Sequence, residues 1–201
     1  MRCKNHSIYG AAERRGIIMK KTDIRKLAIA AVLVAVAVVG SMFSIPVGAS
    51  KCSPVQHLVN IIGGVYLGPW YSLGMAFCAS LIRNIFGLGS PLAFPGSMCG
   101  AFLCGALYHW IGKRVCREGF MKKLRLPMAY AGELFGTSVI GGMLSYPVAS
   151  FIMGKEAALF TYVFPFFVSS LGGTIIAIIV VTAMKRVKAL DMFVGNELAE
   201  K

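Results

Sequence analysis

Acidic side chains are scarce in this chain: 8 Asp and Glu stand against 21 Lys and Arg in 201 residues, and both signs together make up only 14%. Soluble domains carry roughly 25% charged residues. The charges are also clumped, so that residues 27–45 and 157–184 hold none at all. Each run is long enough for a membrane-crossing helix, which needs about 20 apolar residues. A soluble domain of this length buries one such helix, not several. With 57% hydrophobic residues and a mean hydropathy of +0.71, the chain reads as an integral membrane protein.

Other absences remove whole classes of chemistry. No Gly-x-x-x-x-Gly-Lys-Ser/Thr loop is present, which excludes ATP binding in the P-loop manner. Neither His-Glu-x-x-His nor Gly-x-Ser-x-Gly occurs. No pair of carboxylates offers acid–base work, and the apolar segments lack the series of acids expected of a proton-coupled carrier. These gaps argue against an enzyme. The six cysteines form no Cys-x-x-Cys pair, and most lie in apolar segments, where cysteine acts as a small hydrophobe; neither a metal site nor a disulfide framework is expected.

The net charge of +13 would suit a nucleic-acid surface, but its distribution does not. The basic residues fall in clusters between apolar runs, the signature of membrane topology. The runs predict an all-α bundle of six transmembrane helices: Leu27–Ile45, Pro54–Leu67, Trp70–Phe86, Pro95–Ile111, Pro127–Met153 and Ala157–Met184, with Pro165 kinking the last or marking its true start, and a polar loop over Gly48–Ser53. Clusters precede the first helix, separate the fourth from the fifth, and follow the sixth, whereas the opposite loops hold only Lys51 and Lys155. The positive-inside rule then places both termini in the cytoplasm. Trp70, Trp110 and Tyr108 are expected at the inner interface and Tyr162 at the outer one.

The first 18 residues have two readings. Glu13-Arg14-Arg15-Gly16 is encodable by a ribosome-binding sequence suitably spaced from Met19, making 1–18 a translated leader; alternatively they are a disordered basic tail. Residues 19–201 form a single membrane domain, and no clear signal-peptide cleavage site follows the first apolar run.

Polar residues inside a membrane usually face a cavity or the bundle interior. On the topology above, Gln56, His57 and Asn60 of helix 2, Arg83 and Asn84 of helix 3, Ser97 at the start of helix 4, and Ser145, Tyr146 and Ser150 of helix 5 all fall in the outer half. They predict an outward-facing pocket for a small polar aromatic molecule. Each has a structural reading beside the ligand one. His57 and Asn60 also suit hydrogen bonds to a neighbouring helix; Arg83 suits capping of the helix 3 C-terminus or snorkelling to the interface; Tyr146 and Phe164 suit the core as well as stacking. Glu133, the one acid within a span, is placed near the inner end of helix 5, with helix 1, a partner protein or the bundle itself as candidate neighbours. Ala28, Ala31 and Ala35 make a small-residue stripe on helix 1, fit for close packing within the chain or on another subunit.

Several of these residues stand in runs that resemble the ThiW family: Ser53-Pro54-Val55-Gln56-His57 with Asn60, Leu67-Gly68-Pro69, Arg83-Asn84, Gly87-x-Gly89-Ser90, and Leu92-Ala93-Phe94-Pro95-Gly96-Ser97-Met98-x-Gly100-Ala101. The resemblance covers roughly residues 23–188. It implies the substrate-binding S component of an energy-coupling factor importer in the bacterial cytoplasmic membrane. Such a subunit has six helices, binds a vitamin or precursor from outside, and docks on a transmembrane T component driven by two ATPases. The chain itself would need no cofactor, ATP being used by the partner subunits. Docking through an Ala-x-x-x-Ala motif on helix 1 matches Ala31-Val-Leu-Val-Ala35. The implied substrate is the thiamine precursor hydroxyethylthiazole; for that neutral ligand Arg83 would be surplus. Another thiamine-related compound or small vitamin, a self-contained small-solute facilitator, and a membrane sensor or assembly protein are the competing readings.

Overall fold

The computed structural model describes residues 24–47, 50–114, 119–154 and 158–186. The leader or tail at 1–18, Met19, Lys155, Ala157 and part of the flanking basic clusters lie outside that set.

The described chain is mostly helical. Helix α1, Ile24–Phe43, tightens to a 3-10 turn over Ser41–Phe43 and stops ahead of Pro46, which cannot continue a helix. The expected polar loop is in part a hairpin: β1 (Ile45–Val47) pairs antiparallel with β2 (Ser50–Cys52). Helix α2, Pro54–Tyr66, opens on a proline in its first turn, where a missing N–H costs nothing. Gly68, at a φ of 99°, reverses the chain in a conformation that side-chain-bearing residues rarely adopt. Pro69 then opens α3, Pro69–Ile85. Helix α4 is Ala93–Arg114.

Helix α5 spans residues 119–152 and changes pitch along its length. It is α-helical over Gly119–Phe135, π-helical over Gly136–Gly141, α-helical over Gly142–Pro147 and π-helical again over Val148–Ile152. The expected start at Pro127 is therefore corrected, because Pro127 lies inside the helix. Helix α6 is Val163–Arg186. Pro165 falls in its first turn, so it marks the beginning and not a kink.

Three of these helices are long and apolar enough to cross a membrane: Ile24–Phe43, Leu124–Ile152 and Val163–Met184, with hydropathies of 2.3, 1.3 and 2.2. Polarity is distributed inside out. Phe43, Phe151, Phe160 and Phe164 are exposed, while Gln56, Asn60, Ser72, Ser80, Arg83 and Glu133 are buried. A water-soluble protein does the opposite; lipid as solvent explains both halves. Tyr162 corrects the expected outer belt: it is 2% exposed and packs in the core with Leu92, Ala149 and Phe166.

Helix α4 sits at the centre, against α2, α3 and α5, with α6 closing the bundle on α2 and the π-helical part of α5. Backbones meet where side chains are absent. A Cβ on Gly141 would stand 2.5 Å from the Cα of Gly96, so α5 and α4 touch there without intervening side chains, as small residues permit in membrane bundles.

Candidate functional site

The helix pairings bring polar side chains together at one end of the bundle, around a cavity of about 30 Å³. That is room for one or two waters. Its wall draws on every helix except α1, and on β2. Lys51 of β2 and Ser53, Gln56 and His57 at the start of α2 form one side. Arg83 of α3, Gly89 and Ser90 of the α3–α4 loop, and Ala93, Gly96 and Ser97 of α4 form another. Thr137 of α5 and Phe166 and Ser169 of α6 complete it.

Behind this wall lies Glu133, fully buried. Its Oε1 is 2.9 Å from His57 Nδ1, 3.1 Å from Asn60 Nδ2 and 3.3 Å from Thr137 Oγ1. The amide and hydroxyl donate to Oε1, and His57 Nδ1 makes the third bond to it. On the far side of the ring, His57 Nε2 lies 3.1 Å from Ser169 Oγ, which also accepts from the Ser53 N–H at 3.0 Å. One imidazole thus ties α2 to both α5 and α6. A buried carboxylate is costly unless donors surround it; this network gathers its bonds on Oε1, and among the described residues Oε2 is buried without a partner. Gly100 makes the space: a Cβ there would collide with Thr137 Oγ1 and stand 2.9 Å from Glu133 Oε2. The π-helical turn begins three residues after Glu133 and carries Thr137; such turns are frequent at functional sites.

A second chain of bonds runs beside the first. Gln56 Nε2 donates to Ser80 Oγ at 3.1 Å, Ser80 Oγ is 2.9 Å from Ser97 Oγ, and Ser97 O–H donates to the Ala93 carbonyl at 2.7 Å. Asn60 Nδ2 reaches the Ser97 carbonyl at 3.3 Å. The two chains fix the cavity-facing ends of α2, α3 and α4 in one geometry.

Of the residues singled out in the sequence, Gln56, His57, Arg83 and Ser97 line the cavity. Asn60 stands one layer behind them. Asn84 does not face it: its Nδ2 donates to the Ser80 and Ser90 carbonyls at 2.7 and 3.1 Å, pinning the α3–α4 loop. Tyr146 is half-buried and outside the wall, and Phe164 is exposed; the ring in the wall is Phe166, 7% exposed. Ser145 spends its hydroxyl on the Gly141 and Leu92 carbonyls. Lys51, Thr137, Phe166 and Ser169 went unselected in the sequence, although a Ser169-Ser170 pair inside an apolar helix is the kind of intramembrane polarity that marks an interior face. Glu133 is corrected in place: it joins His57 and Asn60 and does not stand apart from them.

Ala28, Ala31 and Ala35 are exposed, while Ala30 and Ala37 are the buried alanines of α1. Ala31 and Ala35 instead line an open apolar groove of about 800 Å³ between α1 and α3, whose far side includes Trp70, Gly74 and Cys78. Among the described residues no group of His, Cys, Asp and Glu could hold a metal ion.

Comparison with known proteins gives one assignment. The family described as thiamine-precursor transporter protein (ThiW) matches residues 27–187. No curated protein and no solved structure matches the chain. The family match takes in α1 through α6 and every residue of the cavity wall, and this membrane protein belongs to the ThiW family of thiamine-precursor transporters.

Proposed function

We propose that the chain is the substrate-binding S component of an energy-coupling factor importer and that it takes up the thiazole half of thiamine, hydroxyethylthiazole. The observation that carries this reading is the cavity: a mixed polar and aromatic site in an otherwise apolar bundle. Ser53 offers an uncommitted hydroxyl, Gln56, His57 and Ser97 hold the wall around it in fixed geometry, and Phe166 offers a face for a flat ring. The cavity as it stands is smaller than the ligand. Loading therefore widens it, and the β1–β2 hairpin and the α3–α4 loop are the walls not built into a helix.

The six helices cross the membrane in this reading, with both termini on the cytoplasmic side of a bacterial inner membrane, as the basic clusters favour. The site then opens outward. Energy comes from elsewhere: the chain has no ATP-binding loop, so a T component and two ATPases supply it. The exposed Ala31–Ala35 stripe beside the α1–α3 groove is the surface offered to the T component. The chain binds its ligand and hands it over without converting it.

Uptake of labelled hydroxyethylthiazole into liposomes tests the mode of transport. The S-component reading expects accumulation only when the T component and ATPases are reconstituted with ATP. Equilibrating flux by this chain alone would favour a self-contained facilitator.

A further inference from the structure

Among the described residues, Arg83 is the one cation in the cavity wall that is buried without a counterpart. It is 3% exposed, and its Nε has no hydrogen-bond partner. The single ion pair among the described residues, His57 with Glu133, does not include it. Glu133 is also the only carboxylate among those residues, and it is turned toward His57, Asn60 and Thr137. At this burial little of the side chain reaches the surface. The α3–α4 loop folds back over the residue: the Leu88 and Gly89 N–H groups donate to the Arg83 carbonyl at 2.9 and 3.1 Å, and a Cβ on Gly89 would stand 3.3 Å from Arg83 Cβ.

A guanidinium keeps its charge at any physiological pH, and a buried ionised group in a membrane protein ordinarily faces a partner or a ligand path. Two further groups in the same wall are suited to an anion. Ser53 Oγ is buried and has no partner, and Lys51 brings a second positive charge from the hairpin. Guanidinium, ammonium and hydroxyl are the donors that recognise an oxyanion.

We infer that the cavity is an oxyanion site, and that it takes a small heteroaromatic ring whose side chain ends in a carboxylate or phosphate in preference to the uncharged alcohol. Arg83 and Ser53 hold the oxyanion, Lys51 closes on it from the hairpin, and Phe166 takes the ring. This rests on the thiazole-uptake reading, which supplies the ring.

The test is calorimetry on the full-length protein in detergent with three ligands: hydroxyethylthiazole, its phosphate monoester, and the matching thiazole carboxylate. At least one anion is expected to bind about tenfold more tightly than the alcohol, and which one it is separates phosphate from carboxylate. Arg83→Gln should close that gap and Arg83→Lys should keep part of it. Should Arg83→Gln fail to fold, Lys51→Gln, at an exposed position, should narrow the gap. An alcohol that binds as tightly as both anions, or a gap that survives these substitutions, overturns the oxyanion site while leaving thiazole binding intact. If none of the three binds, the thiazole reading fails, and inorganic phosphate and acetate decide the rest. A rise in Tm for the wild type but not for Arg83→Gln supports the oxyanion site, and no rise overturns it.

Discussion

His57 and Glu133 are 76 residues apart in the chain and 2.9 Å apart in the fold, and both residues are buried. The pair joins α2 to α5 at the level of the cavity, with Asn60 and Thr137 on the same carboxylate oxygen. Removing one member leaves the other buried and under-bonded, and such losses cost about 3–5 kcal/mol. His57→Ala and Glu133→Ala should each destabilise the protein by amounts in that range. The double substitution should cost less than their sum, with a coupling of about 1–3 kcal/mol. Unfolding of the four variants in detergent measures the cycle, and strictly additive losses would show that the contact does not hold the fold.

Gly100 makes a second prediction at the same place. A methyl group there meets Thr137 Oγ1 and Glu133 Oε2, so Gly100→Ala should cost about 1–3 kcal/mol as an overpacked core does. Ligand affinity should fall with it, because the displaced Thr137 lines the cavity. Gly74, with open space around its Cα, provides the control: Gly74→Ala should change stability little.

Phe166 and Tyr146 separate by position. Phe166 is in the cavity wall and Tyr146 is not. Phe166→Ala should weaken ligand binding by about tenfold, the scale of a lost aromatic contact. Tyr146→Ala should leave it within about twofold. Titration of both variants with the same ligand checks this, and the reverse order would place the ring elsewhere.

Ala31→Leu and Ala35→Leu fill the α1–α3 groove at residues that do not line the cavity. Co-purification with the T component and energised uptake should fall sharply, and ligand binding should survive. Complex formation that is unchanged in the double variant would reject this interface.

Much of the architecture is written in proline and glycine. Pro54, Gly68-Pro69 and Gly87 mark the helix limits in the sequence, and they are the limits found. Pro127 misleads because a membrane helix tolerates proline where neighbours re-satisfy the freed carbonyl. The hairpin over Ile45–Cys52 is too short for an alternating pattern to show. Glu133 was legible as the lone buried acid but not in its position. Placing it near the inner face, away from His57, assumes that every helix spans the full bilayer. Helix α2 has 13 residues, roughly 20 Å at 1.5 Å per residue, against a hydrocarbon core of about 30 Å. Its first turn therefore lies nearer the middle of the bundle than a full span would put it, within reach of α5. The π-helical turn that aims Thr137 leaves no trace in residue type, since it follows from how α5 packs on α4 and α6.

The central claim is that this cavity binds a thiazole precursor of thiamine. Calorimetry on the purified protein, with thiazole compounds, intact thiamine and the pyrimidine precursor compared side by side, tests it most directly. The account predicts tight binding of a thiazole, weak or no binding of the pyrimidine and of thiamine, and loss of the thiazole signal in His57→Ala. Tight binding of the pyrimidine with none of any thiazole would contradict it.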